Sequence, residues 1–149
     1  MSRYQKIRTN VEMGPADWLD IAESIRRLAL EPWTVNRLVN LAIRWKPDNG
    51  DDWRPPQETI KLGYGDCEDI ALVKQAMLPD WHTFLSVGHT HDGRAHAVCL
   101  VEDKEGEFWV LDNLHPEPYR LAEKKFIPAY ALDPAGGRWL MLEIRKHLG

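Results

Sequence analysis

The sequence predicts an α+β domain, with helices in the first half of the chain and an antiparallel sheet in the second. Apolar residues recur at helical spacing up to position 78, and short alternating segments separated by turns follow. Runs of helices followed by runs of strands are typical of this class. The 149 residues suffice for one well-buried core and not for two, so we expect a single domain over 1–149.

Two helices are predicted in the first third of the chain. Apolar residues recur at helical spacing over 17–30, and Pro32 ends that segment. Thr34 is the expected N-cap of a second helix, whose apolar stripe ends at Ile43. The stretch 46–56 is rich in Pro, Asp and Gly and is therefore predicted to be a loop.

A third, longer helix is expected to begin at Cys67. A short helical turn within 55–65 precedes it, and Asp66 can cap its N-terminus. The pattern over 67–78 is that of a mostly buried helix of about three turns. A cysteine in the first turn lies at the positive end of the helix dipole, which favours the nucleophilic thiolate. The sequence therefore predicts a nucleophile at a helix N-terminus.

The strands are predicted from alternation in the second half. Segments 83–90 and 94–101 are joined by a His-Asp-Gly turn and read as a hairpin. A second turn at 103–106 leads into a third strand over 107–111. The alternation over 138–144 predicts a closing strand.

Composition and charge argue against several classes of protein. With a net charge of -4 and a pI near 5.8, nucleic acid is not expected as the main partner. No apolar stretch approaches the roughly 20 residues that span a bilayer, so no membrane partner is expected. The N-terminus has no apolar signal-peptide core, which predicts a cytoplasmic location, in the host cytoplasm if a phage encodes the chain. Cys67 and Cys99 do not make a disulfide framework.

Two further residues can complete a catalytic triad with Cys67. His96 lies in the predicted central strand, and Asp112 ends the next strand. Antiparallel neighbours can bring the two together, so that the carboxylate holds the imidazole in its productive tautomer. His96 on its own is as well explained as a satisfied core residue, but the set of nucleophile, base and orienting carboxylate favours catalysis. Cys99, flanked by Val98 and Leu100, is instead expected in the core.

These motifs resemble those of the bacterial transglutaminase-like cysteine peptidases, a group that includes periplasmic, calcium-dependent proteases that release surface adhesins. The resemblance covers about residues 51–140 and rests on Trp53-x-x-Pro56-x-Glu58, Gly65-Asp66-Cys67-Glu68-Asp69, Ala95-His96-x-Val98 and Leu111-Asp112-Asn113-Leu114. It implies a papain-like fold of the transglutaminase-core type, with helices packed on an antiparallel sheet.

The resemblance also implies the reaction. Cys67 would attack an amide carbonyl of a protein or peptide substrate and form a thioester acyl-enzyme, with His96 as the proton carrier and Asp112 as its orienting group. Water or an amine could then take the acyl group, so hydrolysis and acyl transfer both remain open. The chain lacks a secretion signal and is short, which argues against an adhesin as its substrate.

No cofactor is required for this chemistry, but the resemblance implies a calcium site. The adhesin-processing relatives use calcium beside the active site, and Asp66 and Glu68 match that pattern. Two carboxylates with backbone carbonyls and water suit calcium, which prefers oxygen ligands. The alternative is that Asp66 only caps the helix and Glu68 complements its dipole. Without a cation, the carboxylates around Cys67 should raise the pKa of its thiol.

An acyl transfer also needs hydrogen-bond donors for the oxyanion. The backbone N–H of Cys67 is the first candidate because it lies at a helix start. The side chain of Trp53 or Gln57 is the predicted second donor.

Other functions remain open at this point. A non-catalytic binding or assembly module, with a phage-related role among the options, could keep the same fold. A calcium-binding regulatory domain could use the acidic cluster. His89, His91 and His96 could gather around a metal, although no clear fourth ligand accompanies them.

Overall fold

Three helices precede a five-stranded antiparallel sheet in the computed structural model, which describes residues 27–47 and 54–132. The helices are α1 (Pro32–Ala42), α2 (Pro56–Leu62) and α3 (Cys67–Ala76). Two short strands, β1 (Arg44–Trp45) and β2 (Tyr64–Gly65), pair in parallel. The sheet contains β3 (His82–Thr90), β4 (Ala95–Glu102), β5 (Phe108–Leu111), β6 (Tyr119–Arg120) and β7 (Phe126–Leu132).

The sheet has the order β6-β5-β4-β3-β7, and every neighbouring pair is antiparallel. The predicted hairpin is formed by β3 and β4, in register from His82 opposite Glu102 to His89 opposite Ala95. Its turn contains Gly93 at φ 87°, a left-handed conformation that favours glycine. The predicted α+β class is confirmed.

The helices begin as their local sequences require, with one correction. Asp66 caps α3, as predicted. Thr34 was expected to cap α1 but lies inside it, because the helix already begins at Pro32. Proline has a fixed φ suited to the first helical turn, where its missing N–H costs no hydrogen bond. Glu31 takes the N-cap position without a side-chain capping bond.

Two layers of apolar side chains flank the sheet. One lies between the helices and the sheet, where α1 and α3 residues pack against Leu85, Cys99, Val101, Leu111 and Leu132. Cys99 is fully buried in this layer, as expected of a core cysteine. The other layer covers the opposite face of the sheet with Phe84, Val98, Leu100, Phe108, Val110, Tyr119, Leu121, Phe126 and Ala131.

Strand β7 was not predicted from the sequence. Pro128 interrupts its apolar pattern, and proline is depleted in strands because it cannot donate to the ladder. Here Pro128 pairs with Gly88 where the β3–β7 register shifts. A Cβ on Gly88 would lie 2.0 Å from the carbonyl oxygen of Ile127, so only glycine allows the two strands to approach this closely.

Some predicted elements fall outside the described residues. The predicted strand over 138–144 lies there, as do residues 17–26 of the first predicted helix. No helix within 27–47 and 54–132 combines the length and apolarity that a bilayer crossing demands.

Candidate active site

Cys67 is the first residue of α3, and a reciprocal capping box holds it there. The Asp66 carboxylate accepts a hydrogen bond from the backbone N–H of Asp69 at 3.0 Å. The Asp69 carboxylate accepts one from the N–H of Asp66 at 3.2 Å. Because the box satisfies N–H groups on both sides of Cys67, it fixes the position of that residue at the helix start.

Asp69 also ties this helix start to the segment before α2. Its side chain is fully buried and accepts a hydrogen bond from the N–H of Arg54 at 2.9 Å. The Arg54 guanidinium lies 3.7 Å from the other carboxylate oxygen. Gly65 makes this packing possible, because a Cβ there would lie 2.7 Å from Cβ of Asp69.

His96 and Asp112 lie side by side, in the arrangement that the strand order predicts. Nε2 of His96 is 2.7 Å from Oδ1 of Asp112, and the two residues are 7% and 2% exposed. An ionised carboxylate only accepts hydrogen bonds, so Nε2 carries the proton in the neutral imidazole. The lone pair of the imidazole is therefore on Nδ1.

Asp112 is held by donors on both oxygens. Oδ1 also accepts the backbone N–H of Leu114 at 2.9 Å, and Oδ2 accepts the hydroxyl of Tyr119 at 2.7 Å. Burial by itself raises the pKa of Asp112, but the hydrogen bond and charge of His96, with the other donors, hold it below its usual value. Asp112 is thus stabilised as a carboxylate. Tyr119 was not predicted from the sequence, because no local pattern links it to a residue seven positions earlier.

A buried polar network supports the chain that follows Asp112. The side-chain amide of Asn40 donates to the carbonyls of Asp112 and His115, at 3.0 and 3.1 Å. The amide of Asn36 also donates to the His115 carbonyl, at 3.0 Å. Lys74 in α3 donates to Oδ1 of Asn36 at 2.8 Å. Helices α1 and α3 therefore anchor the loop that carries the acidic residue.

Cys67 and His96 line one open cavity of about 530 Å³. Trp45 and Leu114, both more than half exposed, provide apolar walls, and Arg94 provides a cationic one. The remaining lining residues are Thr90, Ala95 and Asn113. The cavity gives the sulfur and the imidazole access to the same ligand.

The environment of the Cys67 thiol opposes the expected thiolate. Sγ donates a hydrogen bond to Oε2 of Glu68 at 3.3 Å. Burial, followed by the negative charge of Glu68, raises the pKa of Cys67 to about 12. The expected effect of the carboxylates on the thiol pKa is therefore present, and together with burial it outweighs the opposing effect of the helix dipole. The thiol keeps its proton at neutral pH.

Asp66 and Glu68 fit a divalent cation in their donor chemistry. Burial, together with the charge of the neighbouring Glu68, raises the pKa of Asp66 to about 7. Two partly buried carboxylates that repel each other would be neutralised by a calcium ion, which prefers oxygen ligands. Within 27–47 and 54–132 no group of three or more His, Cys, Asp and Glu side chains could hold a metal. The pair therefore supplies only part of a ligand set, and the three histidines 89, 91 and 96 do not form a site.

The two candidate side-chain donors to the oxyanion, Trp53 and Gln57, both precede α3 in the sequence. Trp53 lies outside the described residues. Gln57 occupies the first turn of α2 and is half-buried, and its Oε1 is buried without a hydrogen-bond partner in the part of the chain that is described. Gln57 is not among the residues that line the cavity. Its role in oxyanion binding stays a prediction.

Comparison with known proteins connects the chain to one family. The profile of a family described as bacterial transglutaminase-like cysteine proteinase matches residues 20–143. No curated protein sequence matches the chain significantly.

Among solved structures, Legionella pneumophila LapG is similar with a TM-score of 0.65 and 23% identity, over 97% of this chain and 94% of that one. Calcium-bound LapG is similar with a TM-score of 0.66 and 24% identity, over 92% and 87% of the two chains. EGTA-treated LapG is similar with a TM-score of 0.60 and 22% identity, over 86% of this chain and 80% of that one. These similarities show a shared fold. Because the family profile spans most of the sequence, the chain belongs to the bacterial transglutaminase-like cysteine proteinases and is a cysteine peptidase.

Proposed function

We propose that Cys67, His96 and Asp112 form the catalytic triad of this cysteine peptidase and act through a thioester acyl-enzyme. The observation that carries the proposal is the 2.7 Å pair of His96 and Asp112, whose imidazole lines the same cavity as the Cys67 sulfur. A nucleophile, a base and an orienting carboxylate are the groups that acyl transfer requires. As a peptidase, the chain takes a protein or peptide as its substrate.

In the acylation step, Nδ1 of His96 accepts the proton of the Cys67 thiol while the sulfur attacks the carbonyl carbon of an amide. The resulting imidazolium is stabilised by Asp112, which stays ionised because of its hydrogen bonds. The carbon–nitrogen bond then breaks, and His96 returns the proton to the leaving amine. The product is a thioester on Cys67 and a free amine.

The oxyanion formed in this step needs donors. The backbone N–H of Cys67 lies at the start of α3, where the helix itself offers no acceptor. We propose this group as the first donor and the side-chain amide of Gln57 as the second. Loss of one such donor typically lowers kcat by about 100- to 1,000-fold.

In the second step, His96 removes a proton from water, which attacks the thioester carbonyl. The carbon–sulfur bond then breaks, the acid is released, and His96 returns the proton to the sulfur of Cys67. An amine that reaches the thioester would give a new amide instead. The open cavity around Cys67 and His96 admits water readily, which favours hydrolysis.

Asp66 and Glu68 are the proposed calcium ligands. A bound divalent cation supplies positive charge beside the Cys67 sulfur and neutralises both carboxylates. With its negative charge neutralised by the cation, Glu68 would no longer hold the proton of the Cys67 thiol, and His96 could accept that proton. LapG is known in calcium-bound and EGTA-treated forms, which supports a cation in this chain as well.

Cysteine alkylation tests the triad without a known substrate. The rate of Cys67 modification by iodoacetamide is measured against pH in wild type, His96→Ala and Asp112→Asn, with calcium or with a chelator, and the modified residue is identified by mass spectrometry. Cys99 is an internal control because it is fully buried. We expect calcium to move the reaction to lower pH, and both variants to lose that shift. An alkylation rate that is the same in wild type, His96→Ala and Asp112→Asn would contradict the triad.

Cleavage itself can be tested with a mixed-sequence peptide library and mass spectrometry of the products. Wild-type protein should generate new termini, and Cys67→Ala should generate none. The acyl-enzyme should be visible as an adduct on Cys67 after an acid quench. Products that form equally with Cys67→Ala would refute Cys67 as the nucleophile.

A further inference from the structure

We propose that Tyr119 is a positioning residue that holds the carboxylate of Asp112 in place and thereby keeps His96 in the Nε2–H tautomer. The proposal rests on the proposed triad and adds a fourth member to it. Tyr119 is not among the residues that line the cavity, and its hydroxyl is bonded to Asp112, so its action on the reaction passes through Asp112.

The geometry is that of a continuous hydrogen-bonded chain. The Tyr119 hydroxyl donates to Oδ2 of Asp112 at 2.7 Å, and Oδ1 of the same carboxylate accepts from His96 at 2.7 Å. The exposed fractions of Tyr119, Asp112 and His96 are 5%, 2% and 7%. Together with the backbone N–H of Leu114, which also donates to Oδ1, these bonds on both oxygens fix the rotation of the carboxyl group about its last side-chain bond. That rotation sets the position of Oδ1 with respect to the imidazole.

The tyrosine is itself held firmly. It lies in β6, opposite Val110 of β5, two residues before Asp112. The imidazole of His115 packs edge-on against its ring at 5.0 Å, and the ammonium of Lys125 lies 5.1 Å above it. Because sheet pairing and ring contacts hold the phenol, its hydroxyl can orient Asp112 rather than follow it.

Because Oδ2 of Asp112 is buried, it needs a hydrogen-bond donor. Oδ2 of Asp112 belongs to a nearly fully buried carboxylate, and a buried charged oxygen without a donor is strongly destabilised. Burial, followed by the charge of Asp112, raises the pKa of Tyr119, so the phenol remains a donor at any working pH. A carboxylate freed from this bond would rotate or recruit water, and its Oδ1 would no longer select one tautomer of His96.

Several charged groups surround the hydrogen-bonded residues Tyr119, Asp112 and His96, and all of the variants tested retain them. Lys74 on α3 acts on Asp112, Glu123 in the turn after β6 acts on Tyr119, and Lys125 lies over the Tyr119 ring. Removal of the Tyr119 hydroxyl in Tyr119→Phe leaves each of these charges in place.

The test is the tautomer of His96, read from the nitrogen chemical shifts of protein with ¹⁵N-labelled histidine. In wild type we expect the neutral imidazole to have one form, protonated at Nε2 and unprotonated at Nδ1. In Tyr119→Phe we expect intermediate shifts that report both tautomers, together with a roughly tenfold lower kcat and an unchanged KM. A single Nε2–H tautomer with unchanged shifts in Tyr119→Phe would overturn the proposal.

Tyr64→Phe is the matched control, because it removes a phenol hydroxyl from β2 while the ring that Lys46 and Arg54 contact remains. Its histidine shifts should equal those of wild type. If Tyr119→Phe does not fold, 3-fluorotyrosine at position 119 keeps the shape and provides a more acidic phenol. The stronger donor withdraws charge from Asp112, so the Nε2 proton of His96 should move upfield. An unmoved resonance would contradict the proposal.

The two proposals can fail separately. If His96→Ala leaves Cys67 alkylation unchanged, the triad is refuted, whatever the tautomer of His96. If alkylation depends on His96 but Tyr119→Phe leaves the tautomer unchanged, the triad stands and the role of Tyr119 is refuted.

Discussion

The ammonium of Lys74 lies 2.8 Å from Oδ1 of Asn36, and both side chains are fully buried between α1, α3 and the loop after Asp112. Burial lowers the pKa of Lys74 to about 8 from its usual 10.5. Between these values the unfolded chain holds a proton that the folded chain has released. The free energy of unfolding therefore gains a contribution that rises with pH, by up to about 1.4 kcal/mol per pH unit.

Lys74→Met removes this titration with little change in shape. We expect wild type to gain up to about 3 kcal/mol of stability relative to Lys74→Met as the pH rises through this window. Urea unfolding of both proteins at several pH values measures the difference, and groups common to both cancel. A constant difference would show that the pKa of Lys74 is the same in the folded and unfolded protein and would contradict this prediction.

Asp66 has a structural role that can be separated from cation binding. Asparagine also caps helices well, whereas alanine costs about 1 kcal/mol at an N-cap. Asp66→Asn should therefore keep more stability than Asp66→Ala in the presence of a chelator. We expect calcium to raise the melting temperature of wild type and to lose this effect in Asp66→Asn and in Glu68→Gln. Equal melting temperatures of wild type with calcium and with chelator would exclude the site.

Gly88 allows the close approach of β3 and β7. In Gly88→Ala the new methyl group would meet the backbone of Ile127, which cannot move without breaking strand pairing. We expect a loss of more than about 3 kcal/mol in the free energy of unfolding, at the upper end of single substitutions. Gly93→Asn in the β3–β4 turn is the control and should cost far less, since asparagine tolerates a positive φ. Similar losses in both variants would contradict this account.

Cys67→Ser should abolish peptidase activity with little change in stability. The side chain is only partly buried at the N-terminus of α3, and serine is nearly isosteric with cysteine. A hydroxyl is a far weaker nucleophile than a thiol, so proton acceptance by His96 no longer suffices to drive attack on the amide carbonyl. Circular dichroism and peptide cleavage are measured together. Turnover close to that of wild type would remove Cys67 from the mechanism.

Much of the fold follows from local sequence. Asp66 is an N-cap residue before an apolar helical pattern, and a His-Asp-Gly turn separates two alternating segments, so α3 and the hairpin were predicted near their observed ends. The family resemblance was likewise carried by short motifs and is confirmed by the family profile. The single-domain organisation and the cytoplasmic location stay predictions of the sequence.

The sequence alone determined the residue types and their order: a cysteine at a helix start, then a histidine and an aspartate on neighbouring strands. The tertiary structure alone decided how these groups are tuned. It brought Tyr119 and Lys74 toward Asp112 and buried the thiol of Cys67, and this burial is the largest cause of the raised pKa of that thiol. The reason is physical: capping and alternation depend on near neighbours in the chain, whereas desolvation and charge–charge interactions depend on distances that only packing sets.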